Sequence, residues 1–231
     1  MDLTPNPNKN IIIEIEGIKY ARYPIKTHLI KPTERDIFGL IEKYTKNILQ
    51  KNDIVFISEK IISIMQGRSY LINEIKLSKL ANFLSKFVYK NPGGIGLAMP
   101  QTMQLAIDEV GTLRILFAAF LAALTKPFGI RGVFYQIAGK QAMAIDGPVP
   151  YAIPPYNQYA SKGPKNPKKI AQKISEKINT PVAIVDANDF GVAVLGASRG
   201  IDKKLILKAL KDNPLGQTNE STPIGILRKE K

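Results

Sequence analysis

The chain has 231 residues, with 33 Lys and Arg against 19 Asp and Glu for a net charge of +14, and it contains neither cysteine nor tryptophan. Disulfides, thiolate metal sites and a cysteine nucleophile are therefore excluded, and the single histidine, His28, excludes a multi-histidine zinc site, so any metal chemistry must use oxygen ligands. The basic balance suits nucleic acid, anionic lipid or a phosphorylated substrate, but it is Lys-heavy, scattered and without a stacking platform, and a solvated lysine surface is the plain alternative.

Met1 to Asn8 lacks the basic and apolar parts of a signal peptide, which sets the expectation of a cytoplasmic protein. Ile11 to Ile25 reads as two strands around a turn at Gly17. Thr33 and Asp36 then resemble a capping box, and Ile37, Leu40, Ile41, Tyr44 and Ile48 give the following segment, Glu34 to about Leu49, one apolar helical face. Ile54-Val55-Phe56-Ile57 is a buried strand that delivers Ser58, Glu59 and Lys60. A hydroxyl and an ammonium at a strand end can bind phosphate oxygens; a surface salt bridge is the other reading.

Lys76 to Tyr89 reads as a helix on the spacing of Leu77, Leu80, Ala81, Leu84, Phe87 and Val88, ended by Asn91-Pro92-Gly93-Gly94-Ile95-Gly96. That glycine cluster is either a phosphate-binding nest or a plain loop, since it lacks the third glycine of the dinucleotide fingerprint. Gln101 to Leu124 reads as mostly helical. Its apolar run from Ile115 to Leu124 is half the ~20 residues needed to span a bilayer, so a buried helix is expected and no membrane partner. Val133 to Gly139 reads as a strand, with Gln141 to Ile145 as its hairpin partner ending at Asp146. The loop from Pro148 to Pro167 is long and rich in Tyr and Pro, a candidate lid or dimer contact.

Asn166 as cap and Pro167 at the first helical position start a helix carrying Ile170, Ile174 and Ile178. It leads into Pro181-Val182-Ala183-Ile184-Val185, a buried strand that runs into Asp186, Asn188 and Asp189 before Gly191. Such a knot of oxygens is either a ligand set for a hard cation, Mg²⁺ or Mn²⁺, or an Asx-turn bonding its own backbone. A strand at Val192 to Gly196, a helix over Asp202 to Leu210 and a strand-like run at Ile224 to Leu227 complete the chain. The fold class expected is α+β: mixed sheets with flanking helices in two sub-domains, residues 1–110 and 111–231.

Several motifs in this order resemble one family. Asn52-Asp53 and the strand to Ser58-Glu59-Lys60, then Ser63-Ile64-Met65-Gln66-Gly67-Arg68, are similar to that family's strand followed by Ser-Lys-Ala-Glu-Gly-Arg. With Ile30-Lys31-Pro32 upstream and the strand into Asn188-Asp189-Phe190-Gly191 downstream, the chain from about Tyr23 to Leu227 resembles the gamma-glutamyl ligase of deazaflavin coenzyme F(420) synthesis, in a divergent bacterial branch. The resemblance implies a ligase, often a homodimer, that binds GTP (or ATP) with Mg²⁺ or Mn²⁺ and joins glutamate to a small-molecule carboxylate through an acyl phosphate. Carried over by position, Thr27, His28, Leu29, Ile30, Glu59, Lys60, Gln217 and Thr222 would contact the nucleotide. Asp146, Asp186, Asn188, Asp189 and Glu220 would hold the metal, and Lys60 and Asp186 would carry the chemistry. Ile64 stands where the family has a nucleotide-contacting lysine, and the family's Asp-Thr pair is altered at Asn188-Asp189.

If those acids converge, a divalent ion is needed to offset their repulsion. The competing readings are a basic module that holds RNA or another polyanion without turnover, and an inactive scaffold of the same fold.

Overall fold

A computed structural model describes residues 3–88, 96–188, 191–216 and 218–230. The glycine cluster at 91–95, Asp189 and Gln217 lie outside the described residues.

The chain divides into two compact units, Met1–Gly67 joined with Pro164–Lys231, and Arg68–Gly163. The first is discontinuous in sequence, and its boundaries differ from the 1–110 and 111–231 parts expected above. The protein is α+β, with a six-stranded mixed sheet, a second small sheet and flanking helices.

The first unit is built on the large sheet. Its strands are β1 (Ile12–Ile15), β2 (Ile18–Ile25), β3 (Ile54–Ser58), β6 (Val182–Asn188), β7 (Gly191–Ala197) and β8 (Ile224–Lys229), ordered β1-β2-β8-β3-β6-β7. Only the β3–β6 pair is parallel; the C-terminal β8 runs antiparallel between β2 and β3. Strand residues alternate between two cores, as a period of two requires. Val55, Ile57, Val182, Ile184, Ile224 and Ile226 pack with helices α1 (Ile37–Thr45), α2 (Glu59–Met65) and α8 (Pro167–Ile178). Phe56, Ala183, Val185 and Leu227 face α9 (Lys203–Ala209).

The expected helix after Thr33 begins later. Asp36 is itself the cap, accepting from the Gly39 N–H at 2.9 Å, because Glu34 is turned back to accept from the Lys31 N–H at 2.7 Å. The chain beyond Ser58 turns at once into α2 instead of extending the strand.

The second unit is mostly helical: α3 (Lys79–Leu84), α4 (Pro100–Val110), α5 (Thr112–Thr125), α6 (Val133–Ala138) and α7 (Lys140–Met143), with a two-stranded sheet of β4 (Ser69–Leu71) and β5 (Tyr159–Ser161). Two expectations fail here. Val133 to Ile145 is not a hairpin but two short helices between Gly132, Gly139 and Asp146. Ala138 and Ala142 are fully buried in a core of helices, where no long sheet offers an edge to a Val-Phe-Tyr strand. Tertiary packing overrides β propensity. Nor is the run from Ile115 to Leu124 buried as a whole: Ile115 and Ala118 are inside, whereas Phe117 is 55% and Phe120 59% exposed. No helix among the described residues is long and apolar enough to cross a membrane.

Candidate active site at one edge of the sheet

Strand direction decides which motifs meet. Because β8 is antiparallel to both β2 and β3, and β3 is parallel to β6, the carboxyl ends of β2, β3 and β6 and the start of β8 share one edge of the sheet. In register, Ile25 lies opposite Ile224, Ile224 opposite Ile57, and Ser58 opposite Val185. The chain leaves this edge at Lys26-Thr27 and Glu59-Lys60 and enters it through Ser221-Thr222-Pro223, while β6 runs on past it through Asp186 to Asn188, paired with β7. Two backbone bonds beyond the strands bind the edge together: Thr27 N–H to Ser221 C=O at 2.9 Å and Ser58 N–H to Pro223 C=O at 2.8 Å. Ligands of α/β proteins bind at such carboxyl ends, where side chains project past the last ladder bonds.

The residues expected to contact nucleotide divide by burial. Ile30 is core, 3% exposed in the cluster that holds Ile37, Ile57 and Ile61. Thr27 and Thr222 are buried. The Thr222 hydroxyl donates to Leu215 C=O at 2.6 Å and accepts from the Asn6 amide at 2.8 Å, which spends it on the loop. His28 and Leu29 are exposed. The His28 ring is held between Tyr44 and Glu34, with Nδ1 2.7 Å from the Tyr44 hydroxyl and Nε2 2.8 Å from Glu34. The Lys31 N–H first, and His28 second, keep the Glu34 carboxyl below the usual carboxylate range. Glu59 is buried and Lys60 half-buried at the start of α2. Ile64, further along α2, is buried, and its carbonyl accepts from the Arg35 guanidinium at 3.1 Å.

Among the described residues the metal-ligand candidates are not gathered three together, and each has local contacts. Asp186 and Asn188 are two apart on β6 and continue the face of Val182 and Ile184, while Ala187 belongs with Ala183 and Val185. The Asn188 amide reaches Asp186 at 3.5 Å, and its oxygen accepts from Gly191 N–H at 3.1 Å, so an Asx-turn contact is present here. Both Glu220 oxygens are spent locally, accepting from the Thr218 N–H at 2.7 Å and hydroxyl at 2.8 Å. Asp146, in the second unit, is exposed. Its backbone pairs both ways with Ser161 in an isolated bridge, at 2.9 Å each, not at the end of a hairpin strand. Among the described residues, no group of three or more Asp, Glu or His is gathered to hold a metal ion.

Beside the Glu220 loop lies an open groove of about 630 Å³, lined by Asn6, Pro24, Lys26, Thr218, Glu220 and Thr222 among others. Asn6 escaped the sequence reading because its partners, Pro214 and Thr222, lie more than two hundred residues away.

Sequence reasoning also missed a charged cluster in the second unit. Arg68, the last residue of the Gly67-Arg68 motif, donates to Glu109 at 2.7 Å and to Gly163 C=O at 2.7 Å. Lys162 reaches the other Glu109 oxygen at 3.2 Å, and all three side chains are less than one-tenth exposed. Burial would raise the Glu109 carboxyl, but Arg68 and Lys162 outweigh it and hold it below the usual range. Here the motif arginine serves the unit's own framework.

Sheet order and strand-end motifs thus define an α+β protein with a polar edge made by β2, β3, β6 and the β8 entry. The family model described as F420-0:Gamma-glutamyl ligase matches residues 24–188, well over half of the chain, and the chain belongs to that family. The matched stretch opens within β2, takes in Ser58 to Lys60 and the whole second unit, and ends at Asn188, so Glu220 and Thr222 lie beyond it. No curated protein matches the chain.

Proposed function

We propose that this protein is a nucleotide-dependent amide ligase of gamma-glutamyl type, using GTP or ATP with Mg²⁺ or Mn²⁺ to join an amino acid to a small carboxylate. Family membership supports the ligase class. The single observation that carries the rest is the parallel register of β3 and β6: Ser58 opposite Val185 sets Glu59-Lys60, just past the end of β3, level with Asp186 on β6.

The donor set fits a metal held in part by substrate. A Mg²⁺ ion bound with nucleotide commonly takes one or two protein carboxylates and completes its shell with phosphate oxygens and water. Asp186 would be the carboxylate in this role, with the Asn188 amide oxygen on the same face of β6. The ion would supply charge neutralisation at the phosphate oxygens.

In the first half-reaction a carboxylate oxygen of the substrate attacks the terminal phosphorus, the bond to the leaving diphosphate breaks, and an acyl phosphate forms. Lys60 offsets the negative charge that shifts onto the leaving oxygen. In the second, the amine of the amino acid attacks the acyl carbon, inorganic phosphate leaves, and the amine proton passes to water. Thr27 and the exposed His28-Leu29 segment, at the end of β2, contribute the nucleotide-facing wall, and the groove beside Lys26 has the volume of a small-molecule site.

A thermal-shift series with GTP or ATP, with and without Mn²⁺, tests the reading. Metal-dependent nucleotide stabilisation is expected in the wild type and is expected to vanish in Asp186→Ala. If nucleotide gives no such shift, while any oligonucleotide binds with an affinity that falls steeply with salt, the protein is a polyanion-binding module instead.

A further inference from the structure

The groove beside the Glu220 loop brings together a cation and a carboxylate that, among the described residues, have no ion-pair partner. Its charged lining is Lys26, just past the end of β2, and Glu220. Lys26 is exposed and makes no hydrogen bond or ion pair among the described residues. Glu220 is bonded only by Thr218, whose N–H and hydroxyl each hold one carboxylate oxygen. It is also seated against Gly216, where φ is +71° and a Cβ would lie 2.5 Å from the Glu220 carboxyl carbon. A carboxylate has about four acceptor positions, so the Thr218 bonds fix its direction and leave acceptors for a donor in the groove. The N-terminal arm completes the walls: the buried Asn6 amide donates to the Thr222 hydroxyl and to Pro214 C=O, which ties Pro5 and Pro7 to this loop. With Pro24 these prolines supply the apolar part of the lining.

We infer that this groove binds a free α-amino acid with an uncharged side chain, its carboxylate on the Lys26 ammonium and its ammonium on Glu220. Both contacts are charge-assisted hydrogen bonds, and the prolines take the side chain. One cation and one anion match a molecule of no net charge. L-Glutamate, the amino acid that the resemblance implies, brings a second carboxylate, for which the lining offers no second cation and which Glu220 repels. L-Lysine brings a second ammonium with the converse mismatch. The groove also stands at the reacting edge: Ile25, Ile224 and Ile57 lie opposite one another across β2, β8 and β3, so Lys26 is two strand spacings, about 10 Å, from Ser58. The inference rests on the ligase reading for the amino acid's role as the incoming amine; the binding itself does not require it.

Isothermal titration calorimetry of the full chain with L-leucine, L-serine, L-glutamate and L-lysine, each with and without GTP and Mn²⁺, tests it. Leucine and serine are expected to bind, and glutamate and lysine to bind about tenfold more weakly or worse. Lys26→Met and Glu220→Gln are each expected to weaken leucine binding by about 10–100-fold, the range of a lost hydrogen bond to a charged group. Lys26→Arg, which keeps the charge, is expected to retain most of it. Because the Lys26 side chain is exposed and bonds nothing among the described residues, Lys26→Met should leave the midpoint of urea unfolding unchanged, which separates lost binding from lost folding. A wild type that binds no amino acid in either condition overturns the inference, as does glutamate as the tightest ligand or leucine binding indifferent to Lys26→Met. So does Mn²⁺ binding without nucleotide that Glu220→Gln abolishes, since the carboxylate is then a metal ligand. Leucine binding without any metal-dependent nucleotide shift keeps the amino-acid site and removes the ligase reading; a nucleotide shift without amino-acid binding does the reverse.

Discussion

Glu109 shows how far a carboxylate's surroundings decide its job. Glu109 follows Asp108 near the end of α4 with nothing in the local sequence to set it apart, yet Arg68 and Lys162 converge on it inside the second unit. Replacing it by Ala leaves two cations almost out of water, and breaking a buried pair costs about 3–5 kcal/mol. Urea unfolding of Glu109→Ala should show a loss of that order. The pH dependence has a definite sign. Glu109 titrates lower when folded than its free value of about 4.3, so its contribution is complete above that value and disappears as pH falls through the folded one. Stability measured from pH 6 down to pH 3 should fall more steeply in the wild type than in Glu109→Gln; equal slopes would mean the cluster stores no such energy.

Between elements, the seating of α8 on the sheet is a close backbone-to-backbone approach. A Cβ built on Gly196 of β7 would lie 2.3 Å from the Pro167 carbonyl carbon and 2.5 Å from the Lys168 nitrogen, both backbone atoms that cannot rotate away. The first turn of α8 thus rests directly on β7, and α8 in turn packs Ala171 and Ile174 over β6, the strand that presents Asp186. Gly196→Ala should lift this helix and destabilise the protein by about 1–3 kcal/mol, the usual range for overpacking. The midpoint of urea unfolding reports it, and an unchanged midpoint would show that the helix can slide at no cost. Other elements illustrate the limits of local patterning. The β6 and α8 assignments follow directly from Val-Ala-Ile-Val and Asn-Pro, whereas Val133 to Met143 carries strand-forming residues and is helical, because its neighbours are helices and not a sheet.

At the scale of the molecule the C-terminal strand has a disproportionate role. β8 is the last element in sequence and lies between β2 and β3, so residues from the two ends of the chain complete one sheet around an insertion of nearly a hundred residues. Arg228 on this strand also holds Asp53, whose side chain is wholly buried, through bonds of 2.7 and 2.8 Å. A chain that stops after Pro223 loses this strand, separates β2 from β3 and strands Asp53 without its partner. It should lose the cooperative unfolding transition of the first unit, as followed by circular dichroism in urea; a normal transition would show that β2 and β3 can close on each other.

What the sequence determined by itself is local and chemical: the exclusion of thiolate and multi-histidine chemistry, the α+β alternation, the strand that leads into Ser58-Glu59-Lys60 and the strand that carries Asp186. Each rests on residues close together in the chain, where periodicity, turn chemistry and spacing act directly. Only the tertiary structure decided that β8 enters the middle of the sheet, that Glu220 bonds its own loop, that Asp146 follows a helix and not a hairpin, and that α5 leaves one apolar face open. Those outcomes depend on partners many residues away, and the same apolar or acidic side chain can be core, ligand, cap or interface until long-range packing selects one.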